Sequence, residues 1–217
     1  MDVPERLTAR VVSPGDDPTI HGYAVADDLA RHFGFAEVVF LALTGDVPDR
    51  RIGRIFERAL VCAAPITIAE APSHAAVLAR LSGARPSSVA AVAAVGVAEQ
   101  SRFRLEQLAP LLSWLREGRE GPAPRSAPEP GTAALHDVLQ EAGLVVDERD
   151  RDLSLTAALV AVFHDLGLRE AWQLEAAFVV ARWPLAQAEA MSNTPGALGT
   201  YPIRLPSFDL RGTPREP

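Results

Sequence analysis

The stretch Ile20-His-Gly-Tyr-Ala-Val-Ala-Asp-Asp-Leu-Ala-Arg-His-Phe-Gly-Phe-Ala-Glu-Val-Val-Phe-Leu-Ala-Leu-Thr-Gly-Asp-Val-Pro48 joins a turn, two helices and a glycine stop in one order. Phe35, Val38, Val39, Ala42 and Leu43 recur at helical spacing. They stop at Gly45, a residue that readily takes the left-handed conformation of a helix C-terminus. Asp49 is placed to cap the next helix, in which Ile52, Ile55, Phe56, Ala59, Leu60 and Ala63 form one apolar stripe. Arg50, Arg51, Arg54, Glu57 and Arg58 take its wet side. Cys62 lies on or beside the stripe and reads as an inert buried thiol.

Further along, Ser73 and Ser87 are placed to cap helices over residues 73–82 and 87–100. The second of these, with Val89, Val92, Ala93, Val95 and Val97, is apolar on nearly every face. Such a helix is buried in a large core or at a subunit interface, which predicts an obligate dimer, homo or hetero. Leu105, Leu108, Leu111, Leu112 and Leu115 predict an amphipathic helix ending near Gly118. Residues 116–132 are rich in Pro and Gly and read as a flexible linker. Helices resume at Thr132, a candidate N-cap, and run to Gly143, then over 153–166, then from Arg169 to Met191. Pro184 is expected to kink the last or end its first half near Trp183. The tail over 193–217 reads as a segment wrapping a surface. No internal repeat occurs, and no period-two run is long enough to support a sheet, so the chain reads as all-α.

With 217 residues, 48% hydrophobic and 6% aromatic, the chain can bury a sizeable core of Ala, Val and Leu. All 21 of its Lys and Arg residues are Arg, which we read as a genomic composition bias. A net charge of -7 argues against nucleic acid or an anionic membrane as partner, because both are bound by neutralising phosphate. A single cysteine excludes an intramolecular disulfide, the N-terminus lacks the apolar core of a signal peptide, and no apolar run reaches membrane-span length. A cytoplasmic location is therefore expected.

The stretch from Ile20 to Pro48 resembles the N-terminal signature of the citrate synthase family. That signature reads roughly Gly-Tyr, an apolar residue, two of any type, Asp-Leu-Ala, then Phe-any-Glu-Val-any-Tyr-Leu-Leu and Gly-Glu-Leu-Pro. The resemblance implies an all-α, citrate-synthase-like large helical domain. The small coenzyme-A-binding domain would be truncated or missing. It divides the chain into residues 1–100 and 132–217 as two parts of the large domain, with 101–131 as a small-domain remnant and linker.

It also implies roles for single residues. Active members carry an Asp just before an apolar helix ending in Leu-Gly, where it removes a proton from the acyl-CoA methyl group. Asp152, ahead of Leu166-Gly-Leu168, is the candidate for that base, the other reading being a carboxylate stabilised by a helix N-terminus. The family's Phe-Ala-Ile-Ala-Arg-Thr appears as Phe178-Val-Val-Ala-Arg182-Trp183. Arg182 would hold a substrate carboxylate, for which a guanidinium offers two parallel donors, or else form a structural ion pair. Tyr201-Pro-Ile-Arg204 resembles the segment carrying a final substrate Arg. His74 is the one histidine near the expected site. The remaining four, His21, His32, His136 and His164, read as structural or surface groups, and no pair has metal-ligand spacing.

Both catalytic histidine motifs are absent. Gly-Pro-Leu-His-Gly-Gly is replaced by Val97-Ala-Glu99-Gln100-Ser-Arg102-Phe, Gly-His-Arg-Val-Tyr has no counterpart, and Glu70 stands in place of a third histidine. A positioned acid or base is worth about 10²- to 10⁴-fold and an oxyanion-type donor about 10²- to 10³-fold. The expected function is thus a degenerate member: a structural or regulatory subunit, paired with itself or a full-length paralogue, that binds a small di- or tricarboxylate without cofactor or metal. The alternative is a carbon–carbon bond-forming acyl-CoA transferase or citryl-CoA lyase, with Asp152 as base, coenzyme A as carrier and an electrophile from a partner.

Overall fold

The computed structural model describes residues 9–126, 129 and 131–197. Nine α-helices occur among them: α1 (Ala30–His32), α2 (Phe35–Thr44), α3 (Arg50–Ala63), α4 (Ala71–Leu81), α5 (Pro86–Gln107), α6 (Ala109–Arg116), α7 (Thr132–Glu141), α8 (Leu155–Asp165) and α9 (Ala171–Met191). Gly45 ends α2 at φ 85°, and the Asp49 carboxylate accepts from the amides of Arg51 and Ile52 at the start of α3. Both features follow from the local sequence. The expected stripe of α3 is buried from Ile55 to Ala63, and burial raises the pKa of the half-buried Cys62 thiol.

Two packed groups make up the interior. In the first, α8 is enclosed on all sides, with Ala157 through His164 buried. An edge-to-face series Phe40–Phe56–Phe163–Phe178, with ring centroids 5.3, 5.8 and 5.8 Å apart, ties it to α2, α3 and α9. Leu105, Leu111, Leu112, Trp114 and Leu115 close the same core, so residues 101–116 pack into the main body. In the second group α4, α5 and α9 meet through Ala76, Val77, Val89, Ala93, Val97, Ala186 and Ala190. Side chains this small bring helix backbones close: a Cβ added at Gly96 would lie 3.0 Å from Pro72 Cα.

Several local expectations give way to tertiary context. Helices α4 and α5 begin earlier than Ser73 and Ser87, because Pro72 and Pro86 fit the first turn, where a missing amide donor costs nothing. Helix α7 is preceded by Gly131 at φ 97°, and Thr132 is its first residue instead of its cap. Helix α5 continues past Gln100 to Gln107, held by burial of Ser101 and Leu105. Helix α9 runs unbroken through Pro184, since Arg182, Ala186 and Ala190 are buried on both sides of it. A three-stranded antiparallel sheet, β1 (Val12–Ser13), β2 (Thr19–Ile20) and β3 (Tyr23–Ala24), forms where none was expected. Strands of two residues leave no periodicity to read. Their tight turn uses His21 and Gly22 at φ 48° and 87°.

The described residues of the segment read as a flexible linker are pinned to the body. Arg119, itself at φ 62°, donates through Nε and Nη2 to Asp150 at 3.1 and 2.8 Å, and through Nη1 and Nη2 to Asp165 at 3.1 and 2.6 Å. Downstream, Ser126 Oγ accepts from the Ser154 amide at 2.7 Å, and Glu129 accepts from both the amide and the hydroxyl of Thr156. These partners lie far away in sequence, where composition cannot register them.

Candidate functional site

Helices α4, α5 and α9 meet around one carboxylate. Glu70, at the N-terminus of α4, accepts through Oε1 from the Thr67 amide at 3.1 Å. Its Oε2 lies 3.2 Å from Gln100 Nε2, 3.1 Å from Arg104 Nη2 and 3.2 Å from Arg182 Nη1. Gln100 and Arg104 stand one turn apart on α5 and so project from the same face. The Arg182 guanidinium, 8% exposed, also donates to Gln100 Oε1 at 2.8 Å, to the Ala63 carbonyl at 3.1 Å and to the Pro65 carbonyl at 2.9 Å. Burial lowers its pKa and Glu70 opposes that shift. An arginine starts so high that it stays a cation.

One cavity opens beside this cluster at Arg104, and a second adjoins it across Glu129. The smaller, about 310 Å³, is lined by Arg104, Gln107, Arg125, Glu129, Ser154 and Thr156. The larger, about 550 Å³, is lined by Glu129, His136, Asp137, Gln140, Arg151 and Asp152. Glu129 belongs to both walls. His136 on α7 is half-buried, and burial lowers its pKa more than Asp150 raises it, so it faces the larger cavity as a neutral imidazole near pH 7.

No family model matches the chain, and neither does any curated protein. Among solved structures it is similar to citryl-CoA lyase from Hydrogenobacter thermophilus, with a TM-score of 0.68 over 96% of this chain and 97% of that one, at 19% identity. The fold is citrate-synthase-like. Each chain covers the other almost end to end, so the shortness of this one is compatible with that fold.

On this citrate-synthase-like frame the expected residues fall in different places. Asp152 is exposed in the turn before α8 and lines the larger cavity, without a hydrogen-bond or ion-pair partner among the described residues. Arg182 sits in the Glu70 cluster, linked toward the smaller cavity through Glu70 and Arg104. His74 is exposed in the first turn of α4, where its backbone amide bonds the Glu70 carbonyl at 3.0 Å. Arg204 lies outside the described residues.

Arg104 and Glu129 went unnoticed in the sequence, and His136 was read only as a structural or surface group. Arg104 had a signal, since it follows Gln100 by one turn and so shares its helix face. His136 and Glu129 had none, being placed by contacts remote along the chain. Among the described residues, no helix is long and apolar enough to cross a membrane.

One further histidine bears on stability. His164 is 7% exposed, neither ring nitrogen has a hydrogen-bond partner, and Nδ1 stands 3.6 Å from Asp165 Oδ1, beyond bonding distance. Burial lowers its pKa, Asp165 acting in the opposite sense. The unfolded chain, with imidazoles near the ordinary 6.5, then binds protons that the folded chain refuses. Stability is expected to hold above about pH 6.5 and to fall as the pH drops below it. Melting temperature against pH checks this, and His164→Gln should flatten the acid limb. An acid limb identical in the variant would rule out His164 as its cause.

Proposed function

We propose that this chain is a catalytically degenerate citrate-synthase-like subunit with a structural or regulatory role. It pairs with itself or a full-length paralogue in the cytoplasm, and binds a small di- or tricarboxylate without cofactor or metal. The observation that carries this reading is the engagement of Arg182. The guanidinium that would receive a substrate carboxylate is bound to the Glu70 carboxylate, to Gln100 and to two backbone carbonyls. No histidine is among the partners of that cluster, so the group that would stabilise a developing enolate has no counterpart there.

A second reading is favoured by the end-to-end likeness to citryl-CoA lyase and by the larger cavity. Asp152 and neutral His136 share its wall. A carboxylate base and an imidazole are a pair suited to moving a proton at the carbon next to a coenzyme A thioester. Catalysis would then be acyl transfer or citryl-CoA cleavage, with the electrophile supplied by a partner subunit.

Incubation of the purified protein with acetyl-CoA and oxaloacetate, and separately with citryl-CoA, is expected to give thiol release and product formation at background. Turnover well above background that disappears in Asp152→Ala would replace the first reading with the second.

A further inference from the structure

Helix α3 carries Arg50, Arg51, Arg54 and Arg58 on its exposed side. Helical geometry places the four within an arc of about 100°. Val61, 64% exposed, falls inside the same arc beyond Arg58. Arg51 is engaged within the fold, its Nε donating to the Gly143 carbonyl at 2.8 Å. The side chains of Arg50, Arg54 and Arg58, each four residues after the last, have no hydrogen-bond or ion-pair partner among the described residues, and Glu57, the one acid on that side, pairs with none of them. Nothing in the packing of α3 calls for such a row. Cations in the first turn of a helix oppose its dipole, and like charges four residues apart repel. The Asp49 carboxylate at the head of α3 is directed to the amides of Arg51 and Ile52. On a chain of net charge -7 the row is a local reversal of sign, left uncompensated by the chain's own described residues.

We propose that this face of α3 docks an acidic amphipathic helix of a partner protein. Residues four apart on a helix stand about 6 Å apart along its axis, so carboxylates at every fourth position of a helix lying along α3 repeat at the spacing of Arg50, Arg54 and Arg58. Each guanidinium offers a carboxylate two parallel donors, and Val61 gives the apolar side of such a helix a contact at one end of the row. Nucleic acid and anionic membranes suit the surface less well. Both attract through a field of many phosphates, which would repel the rest of a chain of net charge -7, whereas a single helix meets the row alone. The surface is on a different helix from Val95 and Phe103, the exposed apolar residues of α5, and does not rest on the function proposed above.

Fluorescence anisotropy with the full chain tests it, using a labelled alanine-based peptide of about 20 residues, long enough to hold a helix, with Glu at every fourth position and Leu beside it. The comparison probes are a peptide of the same composition with its Glu residues spread around the helix, a single-stranded oligonucleotide of equal charge, and phosphatidylserine vesicles. The patterned peptide is expected to bind at low salt, and more weakly at physiological salt. Arg54→Glu, in the middle of the row, is expected to weaken it at least about tenfold, the equivalent of one charge-assisted contact. Arg85→Glu changes the net charge equally at an exposed arginine ahead of α5, and is expected to leave binding within about twofold of the wild type. Circular dichroism confirms that both variants fold. No binding of the patterned peptide at low salt, an equal loss in Arg85→Glu, or equal affinity for the spread peptide would each overturn the docking surface. Tighter binding of the oligonucleotide or the vesicles, lost in Arg54→Glu, would overturn a protein helix as its partner.

Discussion

Arg182→Ala is expected to destabilise the protein by about 3–5 kcal/mol, the range found when one partner of a buried ion pair is removed. The guanidinium is 8% exposed and holds together groups from three helices and a connection: Glu70, Gln100, and the carbonyls of Ala63 and Pro65. Alanine would leave both carbonyls without that donor and Glu70 Oε2 dependent on Gln100 and Arg104. Arg182→Lys should recover only part of the loss, since one ammonium cannot reproduce a fork that reaches acceptors in several directions. Urea denaturation of the three proteins measures this. A loss under about 1 kcal/mol in Arg182→Ala would mean that the guanidinium is held for another purpose, and would reopen Arg182 as a ligand-binding group.

If the proposed dimer forms through α5, Val95→Asp is expected to separate it while leaving the subunit folded. Helix α5 buries Val89, Ala93 and Val97 completely against α4 and α9, yet its opposite side leaves Val95 63% and Phe103 56% exposed. An exposed apolar face of that kind suits a contact surface. A carboxylate buried there without a partner should cost several kcal/mol, weakening association by at least two orders of magnitude. Sedimentation velocity gives the mass and circular dichroism checks the fold. Wild-type protein sedimenting as a well-folded monomer at micromolar concentration would contradict the assembly, as would a Val95→Asp dimer of unchanged strength.

The chemistry of single turns was readable along the chain: Gly45 as a stop, Asp49 as a cap, and the stripe from Ile55 to Ala63 all depend on neighbours within a few residues. The all-α class and the order of the helices follow from such short-range periods, while the resemblance rests on the motif over residues 20–48. The candidate site was readable only in its parts. Arg182 and Glu70 were singled out, but that the carboxylate on Arg182 would be Glu70 is a contact between residues more than a hundred positions apart.

Composition misled where distant partners outweighed it. The described residues of the Pro- and Gly-rich segment after α6 are tied down by Arg119 to Asp150 and Asp165, and by Glu129 to Thr156. Pro184 left α9 intact because the buried residues on either side outweigh one missing donor. Local spacing thus settled which segments are helical and which face of each is apolar. Only the packed chain settled which charges meet, because an ion pair between helices depends on their relative placement, a property that no short window of residues contains.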